Sequence, residues 1–175
     1  SKVFWDFCED LYFNLLSKGS LENLDNLNFM LAMSSAHEGS ELFWSKAQSN
    51  IDDLVEGKAE ELICEKKITL MISLCQVEYV SNEFLENLIF DISLDKVRKI
   101  DGNSIAKLMF HMSPYVGERA PSYIWELLKT ALIEKMKNID PLMLLKVYDS
   151  SKEQNLLGQD LGLALNKTLQ SHYSV

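Results

Sequence analysis

The chain has 175 residues and a formal charge of −9, from 17 Lys and Arg against 26 Asp and Glu. Hydrophobic residues make up 47%, which excludes an intrinsically disordered chain and is enough for one domain with a sizeable core. With only 3 Pro and 7 Gly the turn density of a β-sandwich or barrel is excluded, and the acidic balance excludes an overall basic surface for nucleic acid, though not a local one.

The first predicted helix runs from Val3 to Leu16. There Phe4, Trp5, Cys8, Tyr12 and Leu15 fall on one face at gaps of three and four. It stops at Lys18-Gly19, a basic residue followed by Gly. A second helix starts near Leu24-Asp25. A third repeats the spacing of the first, with Phe43, Trp44, Ala47, Ile51 and Leu54, and closes at Gly57. Further helices start at Ile63-Cys64, after a Ser81 cap (Phe84 through Ile92), at Ile100-Asp101, with Pro121 in the first turn (Tyr123 through Leu132), at Ile139-Asp140 and at Leu157. Nine helices result.

Leu24-Asp25, Ile63-Cys64, Ile100-Asp101 and Ile139-Asp140 are spaced by 39, 37 and 39 residues. Five positions on lie Phe29, Ile68, Ile105 and Leu144; eight on lie Ala32, Met71, Leu108 and Val147; nine on lie Met33, Ile72, Met109 and Tyr148. A fixed period of this length denotes stacked units, none able to bury its apolar face alone. Each unit reads as two helices: A, starting at the anchor, and B, carrying the aromatic pair. Asp25, Asp101 and Asp140 are expected to cap the A helices, with Leu24, Ile100 and Ile139 stapled onto Phe29, Ile105 and Leu144. The order is B-A-B-A-B-A-B-A-B. The expected architecture is an all-α solenoid of about four helical hairpins, one domain over residues 1–175. Starting on B, at Ser1 rather than Met, it reads as a processed form or a fragment of a longer array.

Functional motifs are sparse. There is no phosphate-binding Gly-rich loop, no HExxH and no G-x-S-x-G. Acidic clusters at Asp52-Asp53, Glu56 and Glu60-Glu61 read as solvated helix faces. Cys8, Cys64 and Cys75 form no CxxC and suit reduced, buried thiols. His37 is expected in a loop, and His111 on an A helix facing away from core Met109. Gly158 and Gly162 are expected on one face of the last helix. Lys96, Arg98 and Lys99 are expected at the end of a B helix, where cations favour the dipole. Catalytic, cofactor and metal sites, a small-molecule substrate and a membrane span (about 20 apolar residues) are expected to be absent. Lys67, Lys107 and Lys146, on A helices, would contact a phosphate backbone if that face is locally basic. Phe4, Trp5 and Tyr12 on the first helix, and Leu157 and Leu161 near the end, are the expected protein contacts, because both terminal helices are broadly apolar.

The stretch from Tyr123 to Tyr148, through Leu128, Leu132, Met136, Ile139, Asp140-Pro141, Leu144 and Val147, resembles the helical-hairpin repeat of organellar heptatricopeptide and octotricopeptide proteins, those of the FAST-kinase-like and RAP-domain types. The unit from Phe84 to Met112 matches more loosely, and the rest only in period. The resemblance implies a right-handed stack of hairpins in a mitochondrion or plastid, acting in RNA metabolism, in a ribosome, or as a structural subunit. The acidic charge and the lack of a recognisable RAP module favour the last: a non-catalytic scaffold in a larger assembly, with RNA binding as the alternative.

Overall fold

The computed structural model describes residues 1–55 and 64–173, with Asn23 and residues 51–55 described in their backbone only. The expected Ile63 anchor, the Gly57 stop and the acidic Glu56, Glu60 and Glu61 lie outside the described residues. So do the side chains of Ile51, Asp52, Asp53 and Leu54.

The described residues form ten α-helices and no strand: α1 Lys2–Ser17, α2 Asn23–Ser35, α3 Glu41–Val55, α4 Cys64–Leu74, α5 Asn82–Ile89, α6 Leu94–Arg98, α7 Gly102–Met112, α8 Ser122–Lys135, α9 Pro141–Glu153 and α10 Gln159–Tyr173. Short 3-10 turns follow α7 and α8. None of these helices is long and apolar enough to cross a membrane. The chain divides into two compact units, Ser1–Phe90 and Asp91–Val175.

In the first unit α2 packs on both α3 and α4, and α4 packs on α5. An aromatic cluster centres the core. The Tyr12 ring meets Phe43 edge-on at 4.8 Å and Phe29 at 5.4 Å. In the second unit α7 packs on both α8 and α9, α9 packs on α10, and α6 rests on α8. Thus an A helix contacts its own B helix and the next A helix in each unit. Within each unit, like ends of the two A helices meet. Ser34 on α2 meets Ser73 on α4 at 2.6 Å, and Asn103 in the first turn of α7 accepts from the Asp140 amide at the start of α9, at 2.9 Å.

Helix ends follow their local chemistry. Asp101 and Asp140 cap as expected, accepting from Ser104 N (3.1 Å) and Leu142 N (2.9 Å). Ser81 accepts from Phe84 N at 3.1 Å. Asp25 is different: α2 starts at Asn23 behind Glu22, so Asp25 stands inside the first turn. There its charge still favours the helix dipole. The shift places Leu24 within the helix, 52% exposed, whereas Ile100 and Ile139 at the stapling positions are buried. Gly19 ends α1 at φ 64, with Ser20 N bonded to Leu15 O and Gly19 N to Leu16 O, a Schellman closure. His37 and Asn155 close α2 and α9 in the same left-handed conformation.

The tenth helix comes from a break. The expected B helix through Ile92 ends at Ile89, and Ser93 caps a new helix by accepting from Lys96 N. Its hydroxyl competes with the backbone carbonyls for that amide, and so restarts the helix. The Lys96, Arg98, Lys99 cluster therefore belongs to α6. Lys96 pairs with Asp91 at 3.0 Å, and Arg98 forks onto Glu134 at 2.8 and 2.9 Å. Those bonds hold the Arg98 guanidinium pKa above and the Glu134 carboxyl below their ordinary values. Pro121 precedes α8 rather than opening it, and Gly158 (φ 57) lies in the turn before α10, so Gly158 and Gly162 do not share a helix face.

Candidate functional site

Two surface features stand out, one in each unit. The first is an apolar groove of about 310 Å³ between α1 and α2. Phe4, Trp5 and Cys8 line it from α1; Phe29, Ala32 and Met33 line it from α2. Asp25 and Asn28 supply its polar edge. Phe4 is 55% exposed and holds Trp5 edge-on at 5.0 Å. Beyond the groove, Val3, Phe7 and Leu11 continue the exposed apolar surface of α1.

The repeat register shows what is unusual here. Phe43, Trp44 and Ala47 occupy on α3 the slots of Phe4, Trp5 and Cys8, and all three are buried. So are Phe84, Leu85 and Leu88 on α5, and Ile124, Trp125 and Leu128 on α8. The A helices agree. Met71, Leu108 and Val147 are buried in the slot of Ala32, which is exposed; Ile68, Ile105 and Leu144 are buried in the slot of Phe29, which is half-buried. Among these described residues, the residue types that form core in the other slots form surface at this groove.

The expected contact residues therefore divide. Phe4 and Trp5 line the groove. Tyr12 does not: its side chain has no exposed surface, and its hydroxyl accepts from Asn50 Nδ2 at 3.3 Å. Burial raises its pKa, partly offset by that hydrogen bond. Near the end, Leu157 is half-buried and Leu161 is fully buried, whereas Leu163 is 64% exposed. Leu161 points inward because it shares the α10 stripe of Leu165, four residues on. Neither Tyr12 nor Leu161 lies at a surface that a partner reaches.

The second feature is a cationic and aromatic cluster on α7 and α9. Lys107 and Lys146 stand seven positions after their anchors, and both are exposed. His111, one turn beyond Lys107, is also exposed. Its pKa is held below the ordinary imidazole value, first by partial burial and then by the charges of Lys107 and Lys146. Lys146 Nζ lies 5.9 Å above the Phe110 ring, which meets His111 edge-on. Lys67 does not belong to this cluster. It lies in the first unit and is only 5% exposed, so its ammonium is not displayed for a phosphate backbone.

Sequence reasoning named Phe4 and Trp5 but missed the α2 wall of the groove. Phe29 and Ala32 carry the apolar register of buried positions, and their exposure, not their residue type, sets them apart. Among the described residues, no group of three or more His, Cys, Asp or Glu is arranged to hold a metal. No protein-family model matches the chain, no curated protein matches it in sequence, and no solved structure matches its fold.

Proposed function

We propose that this chain is a non-catalytic helical-repeat scaffold, a right-handed solenoid of hairpins that serves as a subunit of a larger assembly, with an organelle as its compartment. The observation that carries this reading is the apolar groove between α1 and α2, where Phe4 and Ala32 are exposed although their counterparts in the other repeats form core. An apolar side chain the size of Phe gains roughly 1.5–3 kcal/mol when it leaves water, so a partner covering this groove has a ready driving force.

The test is to recover the protein from its source under mild salt and compare it with a Phe4→Asp, Ala32→Glu variant. The scaffold reading expects a defined set of companion proteins, insensitive to nuclease, that the variant loses while its own melting temperature holds. Companions retained in full by the variant would remove the groove from the argument.

A second reading, RNA binding, is favoured by the Lys107, His111, Lys146 and Phe110 cluster, which combines cations with an aromatic ring. It expects loss of the companions after nuclease treatment, and loss of RNA retention on Lys107→Glu with Lys146→Glu.

A further inference from the structure

Seven positions after its anchor, each A helix of the first unit carries a leucine, Leu31 and Leu70. At the same place the second unit carries Lys107 and Lys146. The repeat alone therefore does not account for the lysine pair. Lys107 stands four residues before His111, on one face of α7. Lys146 reaches from α9 to lie 5.9 Å above the Phe110 ring, which His111 meets edge-on at 5.1 Å. In the same unit Lys96, Arg98 and Lys129 each have a carboxylate partner. Among the described residues, Lys107 and Lys146 have none. The charges that act on His111 are those of the same two lysines. No other titratable group of α7, of the 3-10 turn after it, or of α8 and α9 shifts it, the carboxylates of Asp149 and Glu153 included. Three groups able to carry positive charge thus meet across two helices of one unit, in a chain of formal charge −9.

We propose that Lys107, His111 and Lys146 together hold the phosphate backbone of an RNA strand, with Phe110 as the prop beneath Lys146. The proposal rests on the RNA reading and deepens it in two ways. First, the contact is to phosphate and not to base. A stacking platform needs an open ring face. Phe110 is half-buried, with Lys146 over its face and His111 against its edge. Second, binding takes up a proton. By themselves the two ammonium groups disfavour the imidazolium. A phosphate beside them favours it, so the bound site holds the His111 proton more tightly than the free one. Affinity therefore rises as pH falls through the His111 range. The acidic remainder of the chain does not cancel the attraction. Exposed charges farther off than a Debye length, about 8–10 Å at ordinary ionic strength, are largely screened.

The probe is a rhodamine-labelled oligouridylate, titrated with the intact protein and followed by fluorescence anisotropy at about pH 6 and about pH 8. Binding should be tighter at the lower pH by roughly fivefold, the size expected of a pKa rise of about one unit on binding, and His111→Gln should remove most of that difference. Lys107→Gln and Lys146→Gln should each lower the slope of log affinity against log salt by about 0.7 at both pH values, and His111→Gln should do so at the lower pH alone. Lys107→Arg and Lys146→Arg should keep the binding, and melting temperatures check that every variant is folded. Oligoadenylate should bind as oligouridylate does; a tenfold preference for either would show base contact and overturn the proposal. A pH dependence that survives His111→Gln, or salt slopes that neither lysine variant moves, would also overturn it, while RNA binding through another surface stands. No saturable binding at low salt would remove the RNA reading as well. Displacement of the probe by polyglutamate more readily than by unlabelled RNA would give the cluster to an acidic protein segment, and the proposal would fail.

Discussion

The hydroxyls of Ser34 and Ser73 stand 2.6 Å apart, although 39 residues separate them in the chain. Their separation equals the spacing of the Leu24 and Ile63 anchors, so the two serines hold the same place on consecutive A helices. Ser34 Oγ also donates to Leu31 O at 3.0 Å. With its one hydrogen committed there, Ser34 accepts and Ser73 donates. A double-mutant cycle of Ser34→Ala and Ser73→Ala, read by urea denaturation, should give a coupling of about 0.5–1.5 kcal/mol. A coupling of zero would mean that the two hydroxyls do not meet in solution.

Phe4 and Phe43 share one slot of the repeat and differ in burial, at 55% and 0% exposed. Phe43→Ala empties a filled core and should cost about 3–5 kcal/mol. Phe4→Ala removes a side chain that is mostly in water and should change stability by about 0.5 kcal/mol. Equal losses at the two positions would show that Phe4 is covered within the isolated chain.

Gly102 opens α7 against Ile139. A Cβ there would lie 2.8 Å from Ile139 Cγ1, and Ile139 is itself only 2% exposed. Helix propensity favours Ala over Gly by roughly 0.5–1 kcal/mol, but overpacking a filled site costs about 1–3 kcal/mol. Gly102→Ala should therefore lower the melting temperature. A rise would mean that α7 and α9 stand farther apart at their N-termini than the structure has them.

His111 should titrate below the ordinary imidazole pKa of about 6.5. The sign follows from linkage. The unfolded chain takes up this proton more readily than the folded one, so the contribution to stability is full above the unfolded value. It declines as pH falls from there through the folded pKa. NMR of the His111 ring, assigned by the signal that His111→Gln removes, gives the midpoint. Lys107→Gln and Lys146→Gln should each raise it, and a midpoint that neither moves would separate His111 from both lysines.

The helices were legible in the sequence because the 3.6-residue period writes the buried face directly into the order of residues. Ile105, Leu108 and Met109, or Leu144 and Val147, need no further information to be placed in a core. The break after Ile89 was not legible. Ile92 continues the apolar pattern and is indeed buried, and the choice to restart falls to the single hydroxyl of Ser93. Lys67 shows another limit: a charged residue reads as surface, yet here it is 5% exposed. The candidate groove was half legible for a different reason. Phe4-Trp5 and Phe43-Trp44 are the same words in the sequence. Whether such a pair becomes core or surface depends on a neighbouring helix, which no property of the pair encodes.

The bonds that tie one helix to another have a consequence for how the chain acquires its order. From Asn26 and Ala47 to Ser34 and Gln76, those named between elements reach across 21 to 42 residues. Closure entropy grows only with the logarithm of loop length, so loops of such similar size cost nearly the same at every step. A hairpin can settle on the stretch of chain made just before it, without waiting for a distant partner to be synthesised. During translation, the apolar face left bare at any moment is then the newest one.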